Sequence, residues 1–164
     1  MSKPVKVLIV GGGITGPVAA YWLARASTPS KPIQITVLER AAALYRQGQG
    51  IDIEGPSREV VTRMGLLDII KSRTTGEKGL RCLDNDNRAY ATFGLSAATR
   101  EIEILRGDLV DILTKAATKM PNVEFRYGSS VKEVEQTNER VHVTIATNDG
   151  QTYDEEYDLS LIHI

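Results

Sequence analysis

Gly11, Gly13 and Gly16 stand in the spacing G-x-G-x-x-G directly after the apolar run Val5 to Val10, and Glu39 follows the next apolar run, Ile33 to Leu38. Each glycine answers a separate steric demand. Gly11 permits a tight turn out of a strand, Gly13 lets the backbone approach a pyrophosphate, and Gly16 lets the following helix pack close to the strand. The N–H groups where that helix begins, at Ile14 and Thr15, lack intrahelical partners and are placed to face phosphate oxygens. A carboxylate at the end of the second strand can accept hydrogen bonds from ribose hydroxyls, and Glu39 occupies that position. This order of parts is a dinucleotide-binding βαβ unit. A dinucleotide cofactor in turn points to redox chemistry.

The elements that must carry these residues are written in the apolar and turn patterns. The helix from Ile14 to about Ser27 holds one charge, Arg25, among Val18, Ala19, Ala20, Tyr21, Trp22, Leu23 and Ala24, which predicts burial on more than one face. Pro17 falls in its first turn, where the missing N–H costs nothing. Thr28, Pro29, Ser30 and Pro32 end the helix, and Ile33 to Leu38 reads as the second buried parallel strand. Ala41 to Gly50 is predicted as loop and Ile51-Asp52-Ile53 as a short strand, with Ser57 as the N-cap of the helix after it. Val60, Val61 and Met64 line one side of that helix, which Gly65 terminates and Leu66 to Ile70 resumes. Gly79 to Leu83 and Arg88 to Phe93 flank Asp84-Asn85-Asp86-Asn87, a hairpin composition.

From Gly107 to Met120 the residues Leu109, Ile112, Leu113, Ala116 and Met120 recur at helical spacing, with Asp108 and Asp111 near the start and Lys115 and Lys119 near the end. Pro121 stops this helix, and Val123-Glu124-Phe125 begins a strand. Val131 to Gln136, Val141 to Thr147 and Gln151 to Leu159 predict an antiparallel meander whose last turn is Asn148-Asp149-Gly150. The predicted fold class is therefore α/β: a Rossmann-like βαβ unit with an inserted β excursion and a three-stranded antiparallel meander.

At 164 residues the chain is one domain's worth, with enough apolar content for a core. Its 20 Lys and Arg against 21 Asp and Glu leave a formal net charge of -1 with no basic run, which argues against nucleic acid or an anionic membrane surface as partner. Cys82 is the only cysteine, so an intrachain disulfide and a cysteine-based zinc site are both excluded; a buried, inert thiol is expected. No apolar run reaches the length of a signal-peptide core or a membrane span, and the expected compartment is the cytoplasm. His142 alternates with Val141, Val143 and Ile145 and so belongs to the polar face of its strand, while His163 lies in the tail. No residue stands out as a general acid, a general base or a metal ligand.

Five separated blocks carry a resemblance. Gly11-Gly12-Gly13-Ile14-Thr15-Gly16-Pro17, Glu39-Arg40, Gly48-Gln49-Gly50-Ile51-Asp52-Ile53, Arg63-Met64-Gly65-Leu66 and Glu103-Ile104-Leu105-Arg106-Gly107-Asp108-Leu109 resemble, in order and spacing, the single-component FAD-dependent aromatic hydroxylases. Within that family the chain is similar to relatives of the tetracycline-inactivating monooxygenases. The resemblance implies that Gly11, Gly13 and Gly16 hold the FAD pyrophosphate, that Glu39 binds the adenosine ribose and that Arg40 lies by the adenosine half. It also implies that Arg106 and Asp52 lie near the ribityl and ring portion. Independently, a cation just before a helix start contributes nothing to that helix, so Arg106 suggests an anionic partner. By the same resemblance NAD(P)H reduces FAD, and oxygen from O2 enters an electron-rich ring or enol of a small aromatic or polyketide-like substrate.

The family continues after Tyr157-Asp158-Leu159 with a buried parallel strand and a Gly-Ala-Asp-Gly segment, whereas this sequence reads Ser160-Leu161-Ile162-His163-Ile164. Residues 1–159 are accordingly expected to be the N-terminal part of an FAD-binding domain and 160–164 a truncated or non-native tail, in a fragment that is itself inactive and aggregation-prone. Two further readings of the residues stand beside the monooxygenase. One is another FAD- or NAD(P)-dependent oxidoreductase, with Arg40 as a contact to a ribose phosphate; the other is a non-catalytic nucleotide-binding module.

Overall fold

The computed structural model describes residues 2–44, 48–94 and 101–162. It divides into two units, residues 1–45 with 113–164 and residues 46–112.

The first unit is built on β1 (Val5–Val10) and β2 (Ile33–Glu39), joined by α1 (Thr15–Ala26). Val7, Leu8 and Ile9 are each at most 3% exposed, so successive residues on both faces of β1 are buried, as a central parallel strand requires. β1 and β2 pair in parallel from Val5 with Ile33 to Val10 with Leu38. β7 (Val123–Tyr127) extends the sheet beyond β2, and β11 (Leu159–Ile162) lies parallel to β1 on its other side, with Val7 opposite Leu159. Leu159 to Ile162 thus take the place beside β1 opposite β2.

The two faces of this sheet are covered differently. On one face Val7, Ile9, Ile35 and Val37 pack with Ala20 and Ala24 of α1 and with Ala117. α1 buries Gly16, Pro17, Ala20 and Ala24 as a single stripe and leaves Tyr21, Trp22 and Leu23 half-buried. Burial on several faces is therefore not what forms, because α1 has the sheet beneath one side only. Arg25 lies over the Tyr21 and Trp22 rings, 5.8 and 5.7 Å from their centroids, so the helix's lone charge shields its aromatic flank.

The other face carries the meander of β8 (Ser129–Gln136), β9 (Val141–Thr147) and β10 (Thr152–Tyr157), antiparallel in that order. Val141, Val143, Ile145 and Tyr157 meet Leu8 and Leu38 in one cluster, while His142 points to solvent with its Nδ1 3.3 Å from Glu156. A polar clasp stands beside this interface. Arg126 on β7 donates to both carboxylate oxygens of Glu155 at 2.9 Å and to Glu124 at 2.9 and 3.0 Å, and the Tyr157 hydroxyl donates to Glu155.

The second unit pairs β3 (Gly50–Asp52) with β6 (Glu103–Leu105) and contains α2 (Gly55–Arg63) and α3 (Leu67–Lys71). Gly65, at φ 72, separates these two helices as expected. Ser57 is not the N-cap of α2; Glu54 holds that position, and the Ser57 hydroxyl donates back to the Glu54 carbonyl at 2.7 Å. Pro56 can enter a helix in its first turn, which lets α2 begin ahead of the serine. β4 (Gly79–Leu83) and β5 (Ala89–Gly94) form the predicted hairpin, closed by Asp84, whose side chain accepts from the Asp86 and Arg88 amides at 2.9 and 2.8 Å. Cys82 sits in this hairpin and is half-buried rather than enclosed, because both strands are largely exposed. The helix predicted from Gly107 to Met120 is α4 (Arg106–Thr118), and the division between the units falls within it.

Candidate cofactor site

Everything expected of the glycine loop depends on how β1 leaves the sheet. The Gly11 amide donates to the Leu38 carbonyl at 2.8 Å, which ties the ends of the two strands together, and at φ 111 Gly11 turns the chain through a region that favours glycine. A Cβ on Gly16 would lie 1.9 Å from the Gly11 carbonyl oxygen, so the helix approaches the strand end closer than any side chain allows. α1 then starts without a side-chain cap and without an acid in its first turn. Its first amide donors and the positive end of its dipole are left for an anion.

Glu39 is aimed at this loop. Its Oε2 accepts from the Gly12 amide at 2.8 Å and its Oε1 from the Ala41 amide at 2.8 Å. Each carboxylate oxygen retains capacity for a further donor, which is what two ribose hydroxyls need. Gly12, which the spacing argument left unassigned, proves to be part of this contact: a Cβ there would lie 3.0 Å from the Glu39 Cβ and 3.2 Å from its Oε2. The structure thus brings Gly11, Gly13, Ile14, Thr15, Gly16 and Glu39 to the ends of β1 and β2, and Arg40 follows directly at the surface. The Arg40 guanidinium makes no ion pair among the described residues. A pyrophosphate-linked adenosine cofactor fits such a site on steric and charge grounds alike.

Asp52 and Arg106 belong to the second unit, where the β3–β6 pairing sets Asp52 opposite Glu103 and Gly50 opposite Leu105. The Arg106 amide donates to the Gln49 carbonyl at 3.0 Å. Arg106 is the first residue of α4 rather than the one before it, and its side chain runs against Gly48, where a Cβ would sit 2.9 Å from the Arg106 Cβ. Gly50 has the same function toward Glu103, whose Oε1 lies 2.0 Å from the position of a Cβ there. Asp52 is exposed between half-buried Ile51 and buried Ile53, as the alternation predicts.

The family model described as an FAD binding domain matches residues 4–160, nearly the whole chain. The chain belongs to the FAD-binding domain family. FAD is accordingly the cofactor of this fold, and the predicted hydroxylase resemblance is borne out. Monooxygenase CTB7 of Cercospora beticola is 36% identical over 157 residues, covering 91% of this chain and 36% of that protein. A flavin-dependent monooxygenase of an unknown prokaryotic organism is 38% identical over 159 residues, covering 94% of this chain and 39% of its own length. Among solved structures, tetracycline destructase Tet(51) superposes with a TM-score of 0.77 at 31% identity, over 99% of this chain and 39% of that one. This FAD-binding chain therefore spans well under half the length of the relatives it matches. Among its described residues no helix is long and apolar enough to cross a membrane.

Proposed function

We propose that this chain is the FAD-holding portion of an NAD(P)H-using monooxygenase that hydroxylates a small aromatic or polyketide-like molecule. The reading rests on the glycine loop braced by Glu39, together with relatives that carry flavin-dependent monooxygenase names. Gly11, Gly13, Gly16 and the amides of Ile14 and Thr15 hold the pyrophosphate, Glu39 holds the adenosine ribose and Arg40 flanks the adenosine. Asp52 and Arg106 serve the flavin half. Arg106, a cation at a helix start without an ion-pair partner among the described residues, suits an anionic or carbonyl-bearing group. Bound FAD supplies the electron transfer and the activation of dioxygen; the protein's share is orientation of the cofactor and exclusion of water.

Two measurements test this. Calorimetric titration of the chain with ADP is expected to show binding that Glu39→Ala weakens by about a hundredfold or more, because the substitution removes the sugar acceptor and leaves the Gly12 and Ala41 amides unpaired. In a protein of the relatives' full length that carries this chain, NAD(P)H oxidation with phenolic substrates under isotopically labelled dioxygen is expected to place label in the product. Product without label removes the monooxygenase reading in favour of another flavin oxidoreductase.

A further inference from the structure

Glu39 does not hold its place alone. The Ala41 amide that binds its Oε1 belongs to a residue whose carbonyl accepts from the Gly128 amide at 2.8 Å. The Gly128 carbonyl in turn accepts from the Asn148 amide at 2.8 Å, and the Asn148 side chain reaches the Arg40 carbonyl, with its Nδ2 3.4 Å away. A run of hydrogen bonds therefore leads from the Gly12 amide through Glu39 and Ala41 to the turn between β7 and β8, and on to the turn between β9 and β10. All of these residues lie in the first unit.

Gly128 is the junction of that run. Its φ of 65 is a left-handed conformation, and a Cβ there would come within 3.2 Å of the Asn148 Nδ2. A side chain at 128 thus meets both backbone strain and a crowded neighbour. Neither turn contains a residue expected to touch the cofactor, yet together they set where the segment after β2 lies.

We infer that Gly128 and Asn148 are positioning residues for the adenosine ribose, acting through Ala41 and Arg40 on the Glu39 carboxylate. This rests on the FAD-site reading and goes beyond it: the meander, on the far side of the sheet from α1, controls recognition of the sugar. A hydroxyl-accepting carboxylate must be held to within fractions of an ångström. The support of Glu39 through Ala41 passes through Gly128 to Asn148.

The test compares ADP with an ADP analogue lacking both ribose hydroxyls, by calorimetry on the 164-residue chain. Wild type is expected to prefer ADP by about a hundredfold or more, the range of two hydrogen bonds to a charged acceptor. In Gly128→Ala the preference should shrink to within about threefold, while affinity for the analogue stays at its wild-type value. Asn148→Ala, which leaves both turn backbones intact, should lose a smaller part of the preference and carries the test if Gly128→Ala does not fold by circular dichroism. Retention of the full wild-type preference in folded variants overturns the inference. So does an equal fall in affinity for both ligands, which marks a general loss of structure. A wild-type chain that binds neither nucleotide overturns the FAD-site reading itself, and the inference falls with it.

Discussion

Gly16 and Glu39 shape the same strand end by opposite means, one through the absence of a side chain and the other through a side chain with two fixed partners. The close approach at Gly16 is to a backbone oxygen, the Gly11 carbonyl, which has no rotamer by which to escape an added methyl. Gly16→Ala is therefore expected to cost about 1–3 kcal/mol, the usual range for overpacking a close contact, and to displace the start of α1 from the strand end. A chemical-denaturation midpoint measures the first effect and ADP titration the second. Wild-type values for both would show that the loop yields more readily than its geometry implies. Gly12 belongs to the same argument, since its amide and its missing side chain both serve Glu39.

Among the elements, the contact between β7 and β10 stores a pH dependence. Burial raises the Glu155 carboxyl, but the Tyr157 hydroxyl and the Arg126 guanidinium outweigh it, and the group lies below the usual glutamate range. Burial raises the Tyr157 phenol, and its bond to Glu155 adds to that. The two signs differ in consequence. The glutamate contribution is present above the ordinary carboxylate pKa and lost as pH falls through the lowered value. The tyrosine contribution is present below the ordinary phenol pKa and lost as pH rises toward the raised one. Urea midpoints should accordingly fall at both extremes. Tyr157→Phe should flatten the alkaline limb and Glu155→Gln the acid limb, each relative to wild type; unchanged slopes in both variants would show that the clasp does not couple to folding.

At the scale of the molecule, the parallel sheet ends on β11, which pairs with β1 on one side only among the described residues. Leu159 and Leu161 on that strand are 46% and 40% exposed. An apolar edge strand invites pairing with another copy, and a charge on it discourages that pairing. Leu161→Lys is expected to leave stability within about 0.5 kcal/mol of wild type, as for an exposed position, while lowering self-association. Light scattering across a concentration series measures it, and equal scattering from the two chains would place the sticky surface elsewhere. The β4–β5 hairpin, with Leu80 and Phe93 exposed at 51% and 44%, is the natural second location.

Local pattern was enough for what depends on local pattern. The apolar run before Gly11, the acid after Leu38, the breaks at Pro29, Gly65 and Pro121, and the alternation around His142 each predicted an element that the structure contains, because periodicity and turn chemistry act within a few residues. Ser57 reads as an N-cap because a serine three residues into a helix looks, in sequence, like the residue that starts one. A lone cysteine reads as a buried, inert thiol, and only the assembled hairpin, with both strands largely exposed, leaves Cys82 half-buried. Asn148-Asp149-Gly150 is legible as a turn, but neither it nor Tyr127-Gly128-Ser129 carries a mark in sequence that ties it to the segment after β2. Their partners Ala41 and Arg40 lie far away along the chain, and the bonds exist only once β7 pairs with β2 and the meander folds over the sheet. The chain alone determined which glycines and which acid stand at the strand ends. Folding decided what holds them in place, since a support made of hydrogen bonds between distant backbone atoms leaves no mark in residue type or spacing.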